Sequence, residues 1–282
     1  MSIDFHTHTF PPSIAAKTLE ALSRSSGTSY HTDGTSDGLA ESMNRAGISY
    51  SVNLPVATSD KQVSSLNSHI ICDFEKSKKR RIIPFGAMHP YFDDYRRELK
   101  RIAYAGLPGI KLHPAYQQTP INHIRNMRII YHASELGLIV TVHAGLDIGL
   151  YEENFAGVMQ ILEVLKEVAP KKLVLAHMGG WNCWEQVELY LAGAPVFLDS
   201  SFSIGPVTLN NTVEQNPYSS VVMPDEQFLR IARKHGMNRI LFATDSPWQD
   251  QSIYVKRFKN IGLTEAEQAM FFTENASKLL AL

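Results

Sequence analysis

The chain has 282 residues, of which 44% are hydrophobic and 20% charged, and its formal net charge is −1. This composition is ordinary for a soluble globular protein. The near-neutral charge, without a long basic block, argues against a nucleic-acid binder. Apolar runs end within about eight residues, which is too short for a transmembrane helix. Two cysteines, Cys72 and Cys183, are too few for a disulfide framework, and a predicted strand at the very start leaves no room for a signal peptide. We therefore expect a cytoplasmic protein with reduced thiols.

Strand and helix patterns alternate along the whole chain. Apolar runs typical of strands lie at 2–7, 48–54, 81–88, 109–113, 138–143, 172–177, 195–200 and 239–244. Amphipathic helix patterns lie at 12–23, 37–46, 59–78, 92–105, 122–136, 154–168, 182–192, 224–235, 248–259 and 264–281. Alternating strands and helices imply parallel pairing with right-handed crossovers. Eight such units predict an α/β fold, a (β/α)8 TIM barrel, as a single domain over residues 1–282.

An open, doubly wound sheet could use the same units. No Gly-x-Gly-x-x-Gly follows an early strand, however, so the sequence does not support a dinucleotide-binding version of that fold. Two long polar connections, 25–36 and 203–223, interrupt the repeat, and we expect the second to overhang the active face and cover substrate. Five histidines in loops or helix patterns are expected to be solvated: His31, His69, His123, His132 and His235.

Histidine, aspartate or lysine side chains stand where five of the apolar runs end. These runs lie within 3–8, 109–114, 139–143, 173–177 and 240–245. Barrel enzymes keep their chemistry at the carboxyl ends of the strands, so residues about 240 apart can meet around one ion. His6 and His8 are separated by one residue on a strand and therefore point to the same face.

Imidazole and carboxylate ligands indicate one divalent metal ion. Zn²⁺ is the first choice, and Mn²⁺, Fe²⁺ or Ni²⁺ also suit such ligands. A structural zinc site would usually include thiolates, and neither cysteine lies near a strand end. The pattern therefore favours an open, catalytic site.

The strand-end motifs resemble those of the amidohydrolase superfamily, and in particular its amidohydrolase 2 branch. The segments that carry the resemblance are 4–11, 109–114, 176–180 and 243–248. That branch includes aminocarboxymuconate-semialdehyde decarboxylase, related aromatic-acid decarboxylases and many uncharacterised TIM-barrel hydrolases. The resemblance implies that His6, His8, His143 and Asp245 hold one divalent cation. It also implies that Asp245 and His177 are catalytic: Asp245 would orient the metal-activated water and take its proton, while His177 would polarise the substrate or shuttle a proton.

Three further residues are predicted to bind substrate: Lys111, His113 and Trp248. In binuclear relatives, a carboxylated lysine at the position of Lys111 bridges two metals. A free Lys111 ammonium would instead attract a substrate carboxylate or phosphate. For His113, a structural role is the alternative to substrate binding. Trp181 or Trp184 is a candidate for the pocket wall, and Asp199 for a buried hydrogen-bonding carboxylate.

The sequence predicts a metal-dependent hydrolase that acts on an amide, lactone or ester of a small molecule, and Lys111 would suit an anionic one. A metal-dependent decarboxylase of a small unsaturated or aromatic carboxylic acid is the second reading. A non-catalytic metal-binding barrel is the third, and the complete set of candidate ligands argues against it. No nucleic-acid or membrane partner is expected. Barrels of this type often form homodimers, and we expect the same assembly here by analogy of fold alone.

Overall fold

The computed structural model describes residues 1–205, 207–210, 218 and 221–282. Within these residues the strands are β1 (Ile3–Thr7), β2 (Tyr50–Asn53), β3 (Ile82–Pro84), β4 (Gly86–Ala87), β5 (Gly109–Leu112), β6 (Ile139–Val142), β7 (Leu173–Leu175), β8 (Phe197–Asp199) and β9 (Ile240–Leu241). All the paired strands are parallel, in the orders β1-β2-β3 and β4-β5-β6-β7-β8-β9.

Backbone hydrogen bonds join these two sheets into a ring. β3 and β4 are separated only by Phe85, whose N–H donates to the Asn53 carbonyl over 3.0 Å, so they share one position in the barrel. On the other side, the Phe5 N–H donates to the Phe242 carbonyl over 2.9 Å, and Asp245 N–H to the His6 carbonyl over 2.8 Å. The ring therefore has eight strand positions, which confirms the predicted TIM barrel.

The helices lie close to their predicted positions. They are α1 (Ala15–Ser26), α2 (Ser36–Ala46), α3 (Val63–Cys72), α4 (Phe74–Lys79), α5 (Tyr95–Tyr104), α6 (Ile124–Glu135), α7 (Val158–Val168), α8 (Trp184–Gln186), α9 (Asp225–His235), α10 (Gln251–Lys259), α11 (Glu265–Ala269) and α12 (Asn275–Leu280). The predicted helix 59–78 divides at Asp73, between α3 and α4. The predicted helix 264–281 contains a π turn at Met270–Glu274, which separates α11 from α12. None of the described helices is both long and apolar enough to span a bilayer.

The hydrophobic core has two parts. The smaller part joins side chains from strands on different sides of the ring, including Phe5, Val52, Ile139 and Leu241, and therefore fills the barrel interior. The larger part lies between the outer faces of the strands and the surrounding helices. This arrangement leaves the carboxyl ends of the strands open to form a site.

The two long polar connections meet above the barrel. Thr28 and Leu209 form an antiparallel bridge, and the Asn210 N–H donates to the Gly27 carbonyl over 2.8 Å. Much of the predicted substrate-covering segment 203–223, namely 206, 211–217, 219 and 220, lies outside the described residues. Its covering role therefore stays a prediction.

His235 is buried, so the prediction that it is solvated was wrong. Only 1% of the residue is exposed. Its Nε2–H donates to the Val196 carbonyl over 2.8 Å, and its Nδ1 accepts the Gly193 N–H over 3.2 Å. Burial lowers its pKa to about 4, although the bond to Val196 acts in the opposite direction. The native protein therefore holds this ring in its neutral form.

His235 is expected to make stability depend on pH between about 6.5 and 4. In this window the unfolded chain binds a proton that the native ring does not, so this stabilising contribution is present above pH 6.5 and is lost as pH falls. The free energy of unfolding of the wild type, relative to that of His235→Gln, should decrease by about 2 kcal/mol from pH 7 to pH 4.5. Urea denaturation at both pH values measures it. A difference independent of pH would contradict the assignment.

Candidate active site

A cavity of about 540 Å³ opens at the carboxyl ends of the strands. All the site residues predicted from the sequence line it: His6, His8, Lys111, His113, His143, His177, Asp245 and Trp248. Most of them stand in or directly after a strand. Asp245 lies four residues beyond the end of β9, further than predicted, in a segment that pairs with β1 through a bridge between Thr7 and Ser246.

His6, His8 and Asp245 form a close cluster. The Nε2 atoms of His6 and His8 are 3.1 Å apart, and Asp245 Oδ1 lies 3.4 Å from the first and 3.1 Å from the second. Burial acts to raise the pKa of Asp245, but positive charge on His6 or His8 outweighs burial and lowers the pKa below its ordinary value. Asp245 also adopts a left-handed backbone conformation, with φ of 68°. Such non-glycine strain is characteristic of functional positions.

Hydrogen bonds on the far side of each ring determine which nitrogen of His6 and His8 carries the lone pair. His6 Nδ1–H donates to Asp199 Oδ2 over 2.9 Å, and His8 Nδ1–H donates to the Leu54 carbonyl over 2.7 Å. The Nε2 lone pairs of both rings therefore face Asp245. Burial lowers the pKa of His6 well below its ordinary value, so this ring is neutral. A neutral imidazole whose other nitrogen is hydrogen-bonded is the usual form of a metal ligand.

His143 and His177 form a second pair beside this cluster. His143 Nε2–H donates to the Leu146 carbonyl over 3.1 Å, and His177 Nδ1–H donates to the Ser201 carbonyl over 2.9 Å. The remaining nitrogens, His143 Nδ1 and His177 Nε2, are 3.0 Å apart. Burial lowers the pKa of both rings, so two lone pairs face each other. A proton or a cation shared by the two rings would stabilise this arrangement.

The predicted ligand set is thus only partly gathered in one place. His6, His8 and Asp245 offer ligand atoms within 4.8 Å of one another, whereas His143 is not part of that group. His143 lies beside His177, whose ring centroid is 5.5 Å from that of His6. Its free nitrogen is Nδ1, directed toward His177.

Lys111 lies within the site, where only 1% of it is exposed. Its Nζ donates to His6 Nε2 over 3.1 Å. Burial lowers the pKa of Lys111 to about 8, although Asp199 and Asp245 act to raise it. A lysine with this pKa has a neutral fraction near pH 7 that an exposed lysine lacks. The contact with His6 is made by the unmodified lysine, and the carboxylated form stays a prediction.

His113 belongs to a stack of rings along the cavity wall. Its ring lies between Tyr116, with centroids 4.1 Å apart, and His143, with centroids 4.2 Å apart. The Tyr116 N–H donates to His113 Nδ1 over 3.3 Å, so the proton of the neutral ring is on Nε2. Nε2 lies 3.6 Å from Asp147 Oδ2.

Asp147 was missed by the sequence analysis, which offers no signal for it beyond its place four residues after His143. Its Oδ2 lies 3.6 Å from His113 Nε2 and 3.9 Å from His143 Nε2, and its other oxygen accepts the Gly149 N–H. Burial raises its pKa to about 6. His113 and His143 both turn their Nε2–H groups toward Asp147. These three residues therefore do not present imidazole lone pairs to a cation, whereas His6 and His8 do.

Asp199 and Ser201 position two of the predicted site histidines. Asp199 Oδ2 accepts a hydrogen bond from His6 Nδ1–H. Its Oδ1 accepts hydrogen bonds from the backbone N–H of His177 over 3.2 Å and from that of Ser201 over 3.0 Å. The Ser201 hydroxyl also donates to Asp199 and lies 3.0 Å from Nδ1 of both His6 and His177. Asp199 is therefore a buried hydrogen-bonding carboxylate, the role for which the sequence made it a candidate.

Asp4 links the first and last strands of the barrel beneath the site. It is fully buried and accepts hydrogen bonds from the Thr244 N–H over 3.0 Å, from the Thr244 hydroxyl and from the Gln251 amide over 2.7 Å. Burial raises its pKa to about 7, although these bonds oppose the shift. Asp4 therefore holds β1, which carries His6, against the segment that carries Asp245.

Two of the tryptophans line the cavity. Trp248 is half-buried in the wall, and its backbone N–H donates to the Asp245 carbonyl over 2.9 Å. Trp181, rather than Trp184, is the second aromatic wall residue. Trp184 packs behind the site, where its indole N–H donates to the His177 carbonyl over 2.9 Å.

The donor set fits a divalent cation. Two imidazole nitrogens and a carboxylate oxygen converge within ligand distance of one another, and the partners of the opposite ring nitrogens are already in place. A parallel barrel that collects such side chains at its carboxyl ends defines a class of metal-dependent barrel enzymes. The chain belongs to the amidohydrolase family: the model Amidohydro_2, described as amidohydrolase, matches residues 3–282. This match confirms the predicted resemblance and the predicted class of enzyme.

Solved structures with the same fold include both decarboxylases and hydrolases. An uncharacterised TIM-barrel protein from Bordetella bronchiseptica matches with a TM-score of 0.73 and 16% identity, over 99% of this chain and 98% of its own. A 5-carboxyvanillate decarboxylase from Novosphingobium aromaticivorans, with bound manganese and 3-methoxy-4-hydroxy-5-nitrobenzoic acid, matches with a TM-score of 0.71 and 13% identity, over 100% of this chain and 97% of its own. A probable 2-pyrone-4,6-dicarboxylic acid hydrolase from Acinetobacter baumannii, with citric acid bound, matches with a TM-score of 0.66 and 16% identity, over 100% of this chain and 99% of its own. No curated protein gives a significant match.

Proposed function

We propose that the protein is a metal-dependent hydrolase that cleaves an amide, lactone or ester of a small molecule. His6, His8, His143 and Asp245 hold one divalent ion, for which Zn²⁺ is the first candidate and Mn²⁺ the second. One observation carries the proposal: the Nε2 atoms of His6 and His8 and Oδ1 of Asp245 lie within 3.4 Å of one another, with both ring tautomers set for ligation. Both cysteines are free, in keeping with the expected cytoplasmic location.

The residues around this cluster suit hydrolysis. A bound divalent ion supplies Lewis acidity to a carbonyl oxygen and makes water more acidic. Asp245, held ionised beside His6 and His8, accepts the proton of the attacking water at its carboxylate. His177 carries a lone pair on Nε2, so it takes up the proton that Asp245 has accepted from water and passes it to the leaving group. Lys111 holds an anionic group of the substrate beside His6.

Decarboxylation of a small unsaturated or aromatic carboxylic acid is the second candidate. Lys111 favours it, because a buried lysine among the cavity residues is a partner for a carboxylate. The similarity in fold to a 5-carboxyvanillate decarboxylase also supports it. In that reaction Asp245 or His177 would deliver a proton to carbon after CO2 leaves.

Isotope labels separate the two reactions on any substrate found by screening. Hydrolysis in H2¹⁸O places ¹⁸O in the acid product, and this is the expected result. Decarboxylation in D2O releases CO2 and places deuterium on carbon, and this result would replace the proposed function by the second candidate. Mass spectrometry of the products reads both labels.

His143 and His177 are expected to respond differently to substitution. His143→Ala removes a proposed metal ligand, so metal content and activity should fall together. His177→Asn keeps a polar side chain and removes proton transfer, so it should retain most of the metal while turnover falls about 10²-fold or more. Metal analysis and kcat on both variants test this. If His177→Asn loses the metal as completely as His143→Ala, the division of roles is wrong.

A further inference from the structure

We propose that the substrate has an apolar, ring-sized body and carries its charge only at the end that meets Lys111 and the proposed metal ligands. The inference rests on the proposed function only in taking that end of the cavity as the reacting end. It holds equally for hydrolysis and for decarboxylation.

The lysine and aspartate side chains among the described lining residues, Lys111, Asp147 and Asp245, all lie at the strand-end side of the cavity. Among the described residues that line it, Lys111 is the only lysine or arginine. The stretches that are not described, 206, 211–217, 219 and 220, contain no lysine or arginine in the sequence. Lys111 is already engaged with His6, 3.1 Å away. A second anionic group on the substrate would therefore find no lysine or arginine among the other described lining residues, and the one histidine away from the strand ends, His69, is already paired with Asp73 over 3.3 Å.

The rest of the cavity wall is mainly apolar. It extends from the strand ends to α1 and α3, and its apolar side chains include Phe10, Ile14, Leu22, Leu66, Phe202 and Trp248. The other polar side chains toward α1 are hydroxyls, such as those of Thr18 and Thr28. Ile14 is 49% exposed at the edge of the cavity, so the apolar surface continues to its mouth.

The energetic consequence is selection by charge. Burying apolar substrate surface against this wall stabilises the complex by about 25 cal/mol per Å². A carboxylate placed in the same position would lose hydration without gaining a cation, a cost of several kcal/mol. The volume of about 540 Å³ accommodates a ring with short substituents and falls within the usual range for small-molecule sites.

Two hydroxamates of similar size test the inference, because both carry the same metal-chelating head. One is 4-methylbenzohydroxamate, which is uncharged at the far end, and the other is 4-carboxybenzohydroxamate. Calorimetric titration of the zinc-loaded wild type should show at least about tenfold tighter binding of the methyl compound. Equal binding, or tighter binding of the carboxylate, would overturn the inference and leave the proposed function intact. If neither compound binds, the metal site fails, and the inference fails with it.

A cation added to the apolar wall should reverse this preference. Leu22 lines the cavity from α1 and is only half-buried, so arginine is tolerated there. We expect Leu22→Arg to shift the affinity ratio toward the carboxylate by about tenfold or more. Ala21→Arg is the matched control, because Ala21 is exposed on the same helix and outside the cavity lining. A ratio unchanged in Leu22→Arg, or shifted equally in Ala21→Arg, would contradict the proposal.

Discussion

Asp245→Asn is expected to reduce kcat/KM by about 10³-fold or more, with little loss of folding stability. Asparagine preserves the shape of the side chain but removes the negative charge between His6 and His8 and the site that accepts the water proton. Removal of a general base costs about 10²–10⁴-fold, and the weaker metal ligand adds to this loss. Steady-state kinetics and metal content, measured on the same preparations, test the expectation.

The matched control is Asp93→Asn. The Asp93 side chain is 94% exposed and is not part of the cavity lining, so this variant makes the same chemical change with no expected effect on kcat/KM. Full activity in Asp245→Asn would contradict the catalytic role of Asp245. A loss of activity that tracks unfolding in thermal denaturation would assign it a structural role instead.

Asp4→Ala is expected to lower the free energy of unfolding by about 3–5 kcal/mol. The substitution leaves four donors, from the His6 and Thr244 backbones, the Thr244 hydroxyl and the Gln251 amide, buried without their acceptor. It also separates β1 from the segment that holds Asp245, so metal affinity should fall by about 10–100-fold. Urea denaturation and metal titration measure the two effects.

Asp4→Asn distinguishes hydrogen bonding from charge. The pKa of about 7 means that Asp4 is partly protonated at neutral pH, and an amide resembles the protonated carboxyl. The Gln251 Oε1 atom has no hydrogen-bond partner in the described part of the chain, so a rotated Gln251 amide can accept from asparagine. We expect a cost of about 1 kcal/mol or less. If asparagine destabilises the protein as much as alanine, the hydrogen-bond account of Asp4 is wrong.

The barrel and most of the candidate site were predictable because their signals are local. Each parallel strand is an apolar run, and the side chain that follows it reaches the active face in this fold. His6, His8, His177 and Asp245 were recognised in this way, and all of them line one cavity. The site assignments themselves stay predictions until they are tested by substitution.

The supporting contacts were not predictable, because they join residues far apart in the sequence. Asp199 contacts His6 across 193 positions, and Asp4 contacts Gln251 across 247. The tautomers of His8 and His143 depend on the carbonyls of Leu54 and Leu146, which any residue type would supply. These contacts form only when the strands close into the barrel.

His235 differs, because a local signal existed and was missed. It lies on the buried face of α9 with Phe228, Ile231 and Ala232, at helical spacing. Because its residue type is polar, it was assigned to solvent, although its position on the helix placed it in the core. Helical position outweighed residue type here.

Metal content is the most direct test of the account. The wild-type protein and Lys111→Ala are equilibrated with Zn²⁺ or Mn²⁺, freed of unbound metal by gel filtration, and subjected to elemental analysis. We predict one divalent ion per chain in both. About two ions in the wild type, falling in Lys111→Ala, would replace the single-ion site by a pair bridged through a carboxylated lysine. No retained metal in the wild type would contradict the central claim that His6, His8, His143 and Asp245 form a metal site.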